Sequence, residues 1–276
     1  MEAVIEDQMR IGAVSLGWSG TPLPQVFDQV RAMGGECLEI NYRTEQHHDL
    51  AWDERSAAKM RAWAEAAGVW ISGISGYNDF AQENLTALPH EVERLLEACR
   101  LASNLGVNIV RAFPGDLKPG LTLAASWSTQ IAGFQQAARL AEPLGVSLAI
   151  ENHGRLLYDG PLLARLVNDI GADNVGLTLD TGNFCWAGHS LVQAQADFEA
   201  MLPHVVNVHI KDGIWQDGNF EFVPAGQGEL PLTLWLDTLV EAGYRGAVCS
   251  EFEGAGDFLQ GTRSSLEFLL SVREQG

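Results

Sequence analysis

The sequence is poor in positive charge. Its 276 residues contain 17 Lys and Arg against 36 Asp and Glu, which gives a formal charge of -19 at pH 7 and a pI near 4.6. Proteins that bind nucleic acids depend on Lys and Arg, which displace counterions from the phosphates. No cluster of these residues occurs along the chain. The composition therefore argues against a nucleic-acid partner.

Cysteine and long apolar runs are also scarce. Cys37, Cys99, Cys185 and Cys249 are widely spaced and form no Cys-x-x-Cys pair, which favours reduced, packed thiols over a disulfide framework. No run approaches the ~18 apolar residues of a membrane span. The first ten residues lack the basic and apolar segments of a secretory signal. We therefore expect a cytoplasmic protein with no membrane partner.

Eight short apolar runs recur along the chain. They begin at residues 11, 36, 69, 107, 146, 175, 205 and 246. Each is short and rich enough in β-branched residues to be a strand buried on both faces. Helical patterns fill the intervals, and many end in a glycine directly before the next run, as at Gly68 and Gly106. A glycine at this position can adopt the left-handed conformation that ends a helix.

Alternating strands and helices predict a parallel sheet with right-handed crossovers. Eight such units within about 250 residues predict a (β/α)8 TIM barrel, of the α/β class, that forms one domain over residues 1–276. The alternative is an open doubly wound sheet, which normally has a Gly-rich phosphate loop after its first strand. Residues 15–24, SLGWSGTPLP, do not match that motif. No linker or low-complexity stretch divides the chain.

The last four predicted strands each deliver one polar side chain at or near the C-terminal end, where the active site of a TIM barrel lies. These are Glu151 in AIENHG, Asp180 in LTLDTGNF, His209 in NVHIKD and Glu251 in SEFEG. Three carboxylates cannot converge without a counter-charge, and a divalent cation supplies one. Three oxygen donors and one nitrogen suit Mn²⁺, Mg²⁺ or Co²⁺. We therefore expect one divalent ion at this rim.

A simpler explanation exists for each residue alone. Asp180 could cap the helix that follows it, and a lone histidine on a strand is more often a core residue than a ligand. Four such residues at equivalent positions of four consecutive strands are harder to explain in that way, so the pattern favours the metal site.

These motifs, in this order, resemble the xylose-isomerase-like TIM barrels over nearly the whole chain. That family includes ketose 3-epimerases, hydroxypyruvate isomerases, inosose isomerases and dehydratases, and an endonuclease branch that the acidic charge disfavours. The resemblance implies one divalent ion, manganese first and otherwise magnesium, cobalt or zinc. Its ligands would be Glu151, Asp180, His209 and Glu251. The resemblance also suggests a homo-oligomer, either a dimer or a tetramer.

In the epimerases of this family the two glutamates also transfer protons, which here would make Glu151 and Glu251 catalytic. One removes a proton from the carbon beside a carbonyl, the metal stabilises the enediolate, and the other returns a proton. The resemblance therefore implies a metal-dependent isomerase or epimerase of a ketose or related keto-sugar. Proton shuttling of this kind requires that the pKa of each glutamate is raised towards neutrality.

One position departs from the epimerase pattern. The third residue after the metal-binding aspartate is often a histidine that touches the substrate, and here it is Asn183. Asparagine can hydrogen-bond a hydroxyl but cannot relay a proton at neutral pH. Two alternatives therefore stay open. The first is a metal-dependent lyase, dehydratase or hydratase acting on a keto-cyclitol or keto-glycoside, and the second is a non-catalytic sugar-binding barrel.

Candidate substrate-binding residues follow the predicted strands. They are Trp18, Arg111, His153, Asn183 and Lys211. Arg111 could instead pair with a rim carboxylate, and Trp18 could instead pack against a loop. We expect Asp212 to support an imidazole. His47 and His48 follow the second strand and are expected in a loop.

Overall fold

The computed structural model describes residues 9–42 and 52–274, so His47 and His48 lie outside the described residues. Eight parallel strands close into a barrel, because the first strand along the chain pairs with both the second and the last, and the last also pairs with the seventh. The barrel strands are β1 (Arg10–Val14), β2 (Cys37–Asn41), β3 (Trp70–Ser75), β4 (Ile109–Ala112), β5 (Ser147–Glu151), β6 (Val175–Asp180), β7 (Val205–Ile210) and β10 (Ala247–Ser250). The predicted (β/α)8 barrel is confirmed.

Helices connect successive barrel strands, and the last helix follows β10. They are α1 (Leu23–Ala32), α2 (Glu54–Ala67), α3 (Leu88–Leu105), α4 (Leu123–Ala141), α5 (Gly160–Ile170), α6 (Asn183–Ala187), α7 (Leu191–Met201), α8 (Leu232–Glu241) and α9 (Phe258–Arg273). Helix α2 shows why they begin and end where they do: the Asp53 carboxylate accepts from Ser56 N, and Gly68 ends the helix at φ 66°. Among the described residues, no helix combines the length and apolarity needed to cross a bilayer.

A β-hairpin after β7 was not expected from the sequence. Strands β8 (Asp212–Gln216) and β9 (Asn219–Val223) pair antiparallel. Asp217 and Gly218 form the turn, with φ of 49° and 83°. A two-residue turn with positive φ at both positions matches the twist of a hairpin, and Asp-Gly is a favoured sequence for it. The dipeptide was therefore an available signal for these two strands.

Asp212 organises the loop that follows this hairpin, rather than supporting an imidazole as the sequence suggested. Its buried carboxylate accepts four backbone N–H groups at 2.9 to 3.2 Å, from Gly213, Gly226, Gly228 and Leu230. Gly228 lies so close that an added Cβ would stand 2.1 Å from Asp212 Oδ1. Residues 224–231 thus wrap around one carboxylate at the C-terminal end of the barrel.

Replacing Asp212 by Asn is expected to destabilise the fold by about 2 kcal/mol, because an amide NH₂ would face backbone donors and leave buried N–H groups unpaired. The comparison is Asp217→Asn in the exposed turn, which is expected to change the unfolding free energy by less than about 0.5 kcal/mol. Urea unfolding of both variants measures the difference. Equal midpoints for the two would show that the loop does not depend on the Asp212 carboxylate.

Candidate metal centre

Four side chains from consecutive barrel strands converge at the C-terminal rim. One ligand atom each from Glu151, Asp180, His209 and Glu251 lies within 4.8 Å of the others, and all four residues are buried. The strand register accounts for part of this convergence, because Asp180 pairs with His209 across β6 and β7. Glu251 follows β10, where its N–H donates to Ile210 O at 3.0 Å.

The two oxygens of Asp180 have different partners. Oδ1 accepts from the N–H groups of Gly182 and Asn183, at 2.9 and 3.0 Å, and so caps the short helix α6. Oδ2 lies 3.2 Å from Lys211 Nζ but makes no hydrogen bond within the described residues. The capping and the ligand interpretations of Asp180 are therefore compatible, since each uses a different oxygen.

Two polar residues beside the rim hold the strand ends in register, and sequence reasoning did not single them out. Asn152 pairs with the Asp180 backbone through two hydrogen bonds of 2.8 Å, one to the carbonyl and one from the N–H. Thr181 does the same with Lys211, donating to its carbonyl at 2.7 Å and accepting from its N–H at 3.0 Å. These side chains fix the spacing between the ends of β5, β6 and β7.

His209 has a partner that the sequence analysis missed. Its Nε2 lies 2.8 Å from Oε2 of Glu39, a fully buried residue in the middle of β2. Its Nδ1 lies 3.5 Å from Glu251 Oε2 and 3.8 Å from Glu151 Oε1, and makes no hydrogen bond in the described part of the chain. Burial lowers the pKa of His209, but Glu39 and Glu251 outweigh that effect and raise it well above its ordinary value.

The two glutamates do not have the raised pKa values that proton shuttling led us to expect. Burial acts to raise the pKa of Glu151, but the Arg111 guanidinium, with Nε at 3.4 Å, outweighs it, and the pKa falls to about 2. Burial is likewise outweighed at Glu251, where Lys211 Nζ at 2.9 Å and His209 lower the pKa well below its ordinary value. Both glutamates are therefore carboxylates in the metal-free protein.

Asp180 shows the opposite shift. Burial raises its pKa to about 7, and the charges of Glu151 and Glu251 add to the rise, while Lys211 opposes it. The buried cations Arg111 and Lys211 thus supply much of the counter-charge that the sequence argument assigned to a metal alone. Charge balance by itself therefore does not require a metal here.

The donor geometry nevertheless fits a divalent cation. Asp180 Oδ2 and His209 Nδ1 are buried polar atoms without hydrogen bonds among the described residues, and buried polar atoms rarely remain unpaired without a reason. Both belong to the group whose ligand atoms lie within 4.8 Å of one another. Three carboxylates and one imidazole suit Mn²⁺, Mg²⁺ or Co²⁺, and zinc also accepts such donors.

A cavity of about 350 Å³ opens onto Glu151 and Glu251 of this group. Its inner wall includes Glu151, Glu251 and Lys211, and Tyr77 and Phe113 provide aromatic side chains. Arg111 lies with its guanidinium carbon 4.0 Å from the centre of the Phe113 ring, and His153 packs against the same ring at 4.3 Å. The structure thus places Arg111, His153 and Lys211, three of the predicted substrate-binding residues, on the cavity.

The other two predicted substrate-binding residues do not line this cavity. Trp18 is 1 % exposed, packs edge-on against Phe258 and donates from Nε1 to Gln29 Oε1 at 2.7 Å, so it is a packing residue. Asn183 is buried behind the wall, where Nδ2 donates to Glu151 at 3.2 Å and Oδ1 accepts from Lys211 at 3.4 Å. Asn183 therefore connects two residues that line the cavity.

A closed parallel barrel with acidic and histidine side chains gathered at its C-terminal rim has the architecture of a TIM-barrel enzyme. The chain belongs to the family described as xylose isomerase-like TIM barrel, whose model matches residues 27–272.

Two relatives are similar to this chain in sequence, and a solved structure is similar to it in fold. The chain is 30 % identical over 205 residues to 2-epi-5-epi-valiolone 7-phosphate 2-epimerase of an Actinoplanes species, covering 74 % of this chain and 73 % of that protein. It is 27 % identical over 197 residues to inosose isomerase of Bacillus velezensis, covering 66 % and 65 %. A xylose isomerase-like TIM barrel protein from Mycobacterium smegmatis, solved in complex with magnesium, has a TM-score of 0.78 at 18 % identity over 99 % of both chains.

Proposed function

We propose that the protein is a divalent-metal-dependent epimerase or isomerase that moves a proton at the carbon beside the carbonyl of a ketose or related keto-sugar. The observation that carries this proposal is the buried convergence of Glu151, Asp180, His209 and Glu251, because the two glutamates of this group also line a sugar-sized cavity. Two relatives support it by name, one as a 2-epimerase of 2-epi-5-epi-valiolone 7-phosphate and the other as an inosose isomerase.

The four convergent residues would hold the ion, using Asp180 Oδ2 and His209 Nδ1 as two of its ligand atoms. Manganese is our first expectation, with magnesium, cobalt or zinc as alternatives. A bound divalent cation would act as a Lewis acid that polarises the substrate carbonyl and so makes the neighbouring C–H more acidic. The magnesium complex of the Mycobacterium smegmatis protein supports a divalent ion in a barrel of this shape.

In this proposal, Glu151 and Glu251 transfer the protons. Both are carboxylates in the metal-free protein, which is the form that accepts a proton, although the cationic side chains that lower the pKa of each also make it a weaker base there. Removal of the proton beside the carbonyl gives an enediolate, and return of a proton to its other face or to the neighbouring carbon gives an epimer or an isomer. Asn183 fixes Glu151 and Lys211 in place while this occurs.

The charges around the cavity favour a neutral substrate over a phosphorylated one. Each cation of the described residues that lies on or beside it already has a carboxylate partner: Arg111 with Glu151, Lys211 with Glu251, Arg94 with Glu91 and Lys118 with Asp79. Asp116 and Glu253 add negative charge to the lining. A phosphate would have to displace one of these partners, so an unphosphorylated keto-sugar fits better.

Solvent exchange tests the proposal directly. Metal-loaded protein in D₂O is incubated with neutral ketoses, inososes and 3-keto-glucosides, each beside its phosphorylated form where one exists. At least one neutral compound is expected to gain one deuterium beside its carbonyl, and its phosphate ester is expected to exchange at least about tenfold more slowly. No exchange in any compound, with the metal shown to be bound, would contradict the proposed reaction.

Product mass separates this proposal from the lyase alternative in the same experiment. An epimerase or isomerase changes only the isotope content of the sugar. A dehydratase or deglycosidase would instead release water or an aglycone after forming the same enediolate, and mass spectrometry detects that loss. Ligand binding without exchange or mass loss would indicate a sugar-binding barrel.

A further inference from the structure

Glu39 is a buried carboxylate that the proposed reaction does not use. It lies in the middle of β2 between Leu38 and Ile40 and is fully enclosed in the barrel. Its Oε1 accepts from Ser75 Oγ at 2.5 Å, and its Oε2 accepts from Asn207 Nδ2 at 2.9 Å. A buried carboxylate is costly unless it is fully paired, and here the remaining partner is the imidazole of His209.

This contact determines which nitrogen of the His209 imidazole is free to bind an ion. His209 Nε2 lies 2.8 Å from Glu39 Oε2, and a carboxylate only accepts, so Nε2 must carry the hydrogen. An imidazole that keeps its hydrogen on Nε2 can offer a lone pair to an ion only from Nδ1. Nδ1 is the atom that faces Glu151 and Glu251, and it makes no hydrogen bond within the described residues. Glu39 therefore determines both the orientation of the ring and the nitrogen that can bind an ion.

We propose that Glu39 is a positioning residue that holds His209 with Nε2–H against β2 and with Nδ1 directed at the metal. The inference rests on the proposed metal site and extends it to a residue on the opposite side of the imidazole. Carboxylates that bind the second nitrogen of a metal-binding histidine contribute about 10- to 100-fold to metal affinity. Glu39 never touches substrate in this proposal and acts through His209 alone.

Three variants test it. Glu39→Met keeps the length of the side chain but removes the acceptor, and is expected to weaken Mn²⁺ binding about 10- to 100-fold in a calorimetric titration. Glu39→Gln keeps an amide oxygen that can accept from Nε2–H, so its affinity is expected to lie between those of Glu39→Met and the wild type. Ser75→Ala is the control, because it removes the bond to Oε1 and leaves the His209 contact intact. Its affinity for Mn²⁺ is expected to be within about threefold of that of the wild type, because only the hydrogen bond from Ser75 to Glu39 is lost.

Nitrogen-15 spectra of the magnesium-loaded wild type provide a second readout that does not depend on how the variants fold. A protonated Nε2 and a coordinated Nδ1 in His209 would support the proposal, and the reverse assignment would overturn it. Folded Glu39→Met with wild-type Mn²⁺ affinity would also overturn it, while the proposed function would stand. If the wild type binds no divalent ion, both the inference on Glu39 and the proposed function are overturned, because the metal site itself is then absent.

Discussion

Loss of bound metal and of turnover is the expected result of replacing Asp180 and His209 together by alanine. The change removes Asp180 Oδ2 and His209 Nδ1, the two predicted ligand atoms that have no hydrogen bond among the described residues. We expect the wild type to contain about one divalent ion per chain and the variant to contain almost none. Turnover is expected to fall by a factor on the order of 10³ or more, because Lewis-acid catalysis contributes several kcal/mol. Elemental analysis beside a rate measurement tests both expectations.

A matched control for this variant exists elsewhere in the chain. His189 Nδ1 and Asp197 Oδ2 lie 2.5 Å apart and form a histidine–aspartate pair outside the convergent group. Replacing both by alanine removes the same chemical groups and is expected to lower stability while leaving the metal content unchanged. If Asp180→Ala/His209→Ala retains a full complement of metal, or if the wild type takes up none even with Mn²⁺ supplied, the rim is not a metal site.

The barrel could be predicted because its determinants are local. Apolar runs, helical periodicity and glycines at helix ends repeat along the chain, and each repeat can be recognised without reference to the others. The same reasoning found Glu151, Asp180, His209 and Glu251, since a parallel barrel brings equivalent strand ends to one rim. The hairpin β8–β9 was missed although its Asp217-Gly218 turn is a local signal.

The sequence contained a signal for Glu39 that the analysis of strand ends did not use. It is a charged residue inside the apolar run ECLEIN, and such a residue in a buried strand requires a partner. The partner itself was not predictable, because His209 is 170 positions away along the chain and meets Glu39 only inside the closed barrel. Sequence reasoning looked only at strand ends, whereas Glu39 lies in the middle of its strand.

The charges of the site were the least predictable feature. Three convergent carboxylates indicate raised pKa values when they are considered alone. The folded site adds Arg111 beside Glu151 and Lys211 beside Glu251, and these cations lower the pKa of both glutamates. Only Asp180 retains the raised pKa, at about 7. Which carboxylate is shifted in which direction depends on distances of about 3 Å, and no spacing along the sequence encodes them.

Replacing Glu151 or Glu251 by glutamine is expected to slow proton transfer strongly without loss of the bound metal ion. Glu151→Gln and Glu251→Gln keep a carbonyl oxygen that can still bind a hard cation but remove the carboxylate that accepts a proton. A fall of about 10²- to 10⁴-fold in deuterium exchange is expected for each variant, because general acid–base groups contribute on that order. Exchange rates are measured on samples whose metal content has been determined, so that loss of the ion and loss of the base are separated.

Glu253→Gln is the control for this pair, because Glu253 also lies beside Lys211 Nζ, at 2.6 Å, but is 39 % exposed and outside the convergent group. If Glu251 served only to balance the charge of Lys211, deuterium exchange would fall to a similar extent in Glu251→Gln and Glu253→Gln. If Glu251 transfers the proton, only its replacement slows exchange severely, and Glu253→Gln stays within about threefold of the wild type, because Lys211 keeps Asp180 and Glu251 as its buried partners. Wild-type exchange in metal-loaded Glu151→Gln and Glu251→Gln would remove both residues from the mechanism and leave the rim as a binding site alone.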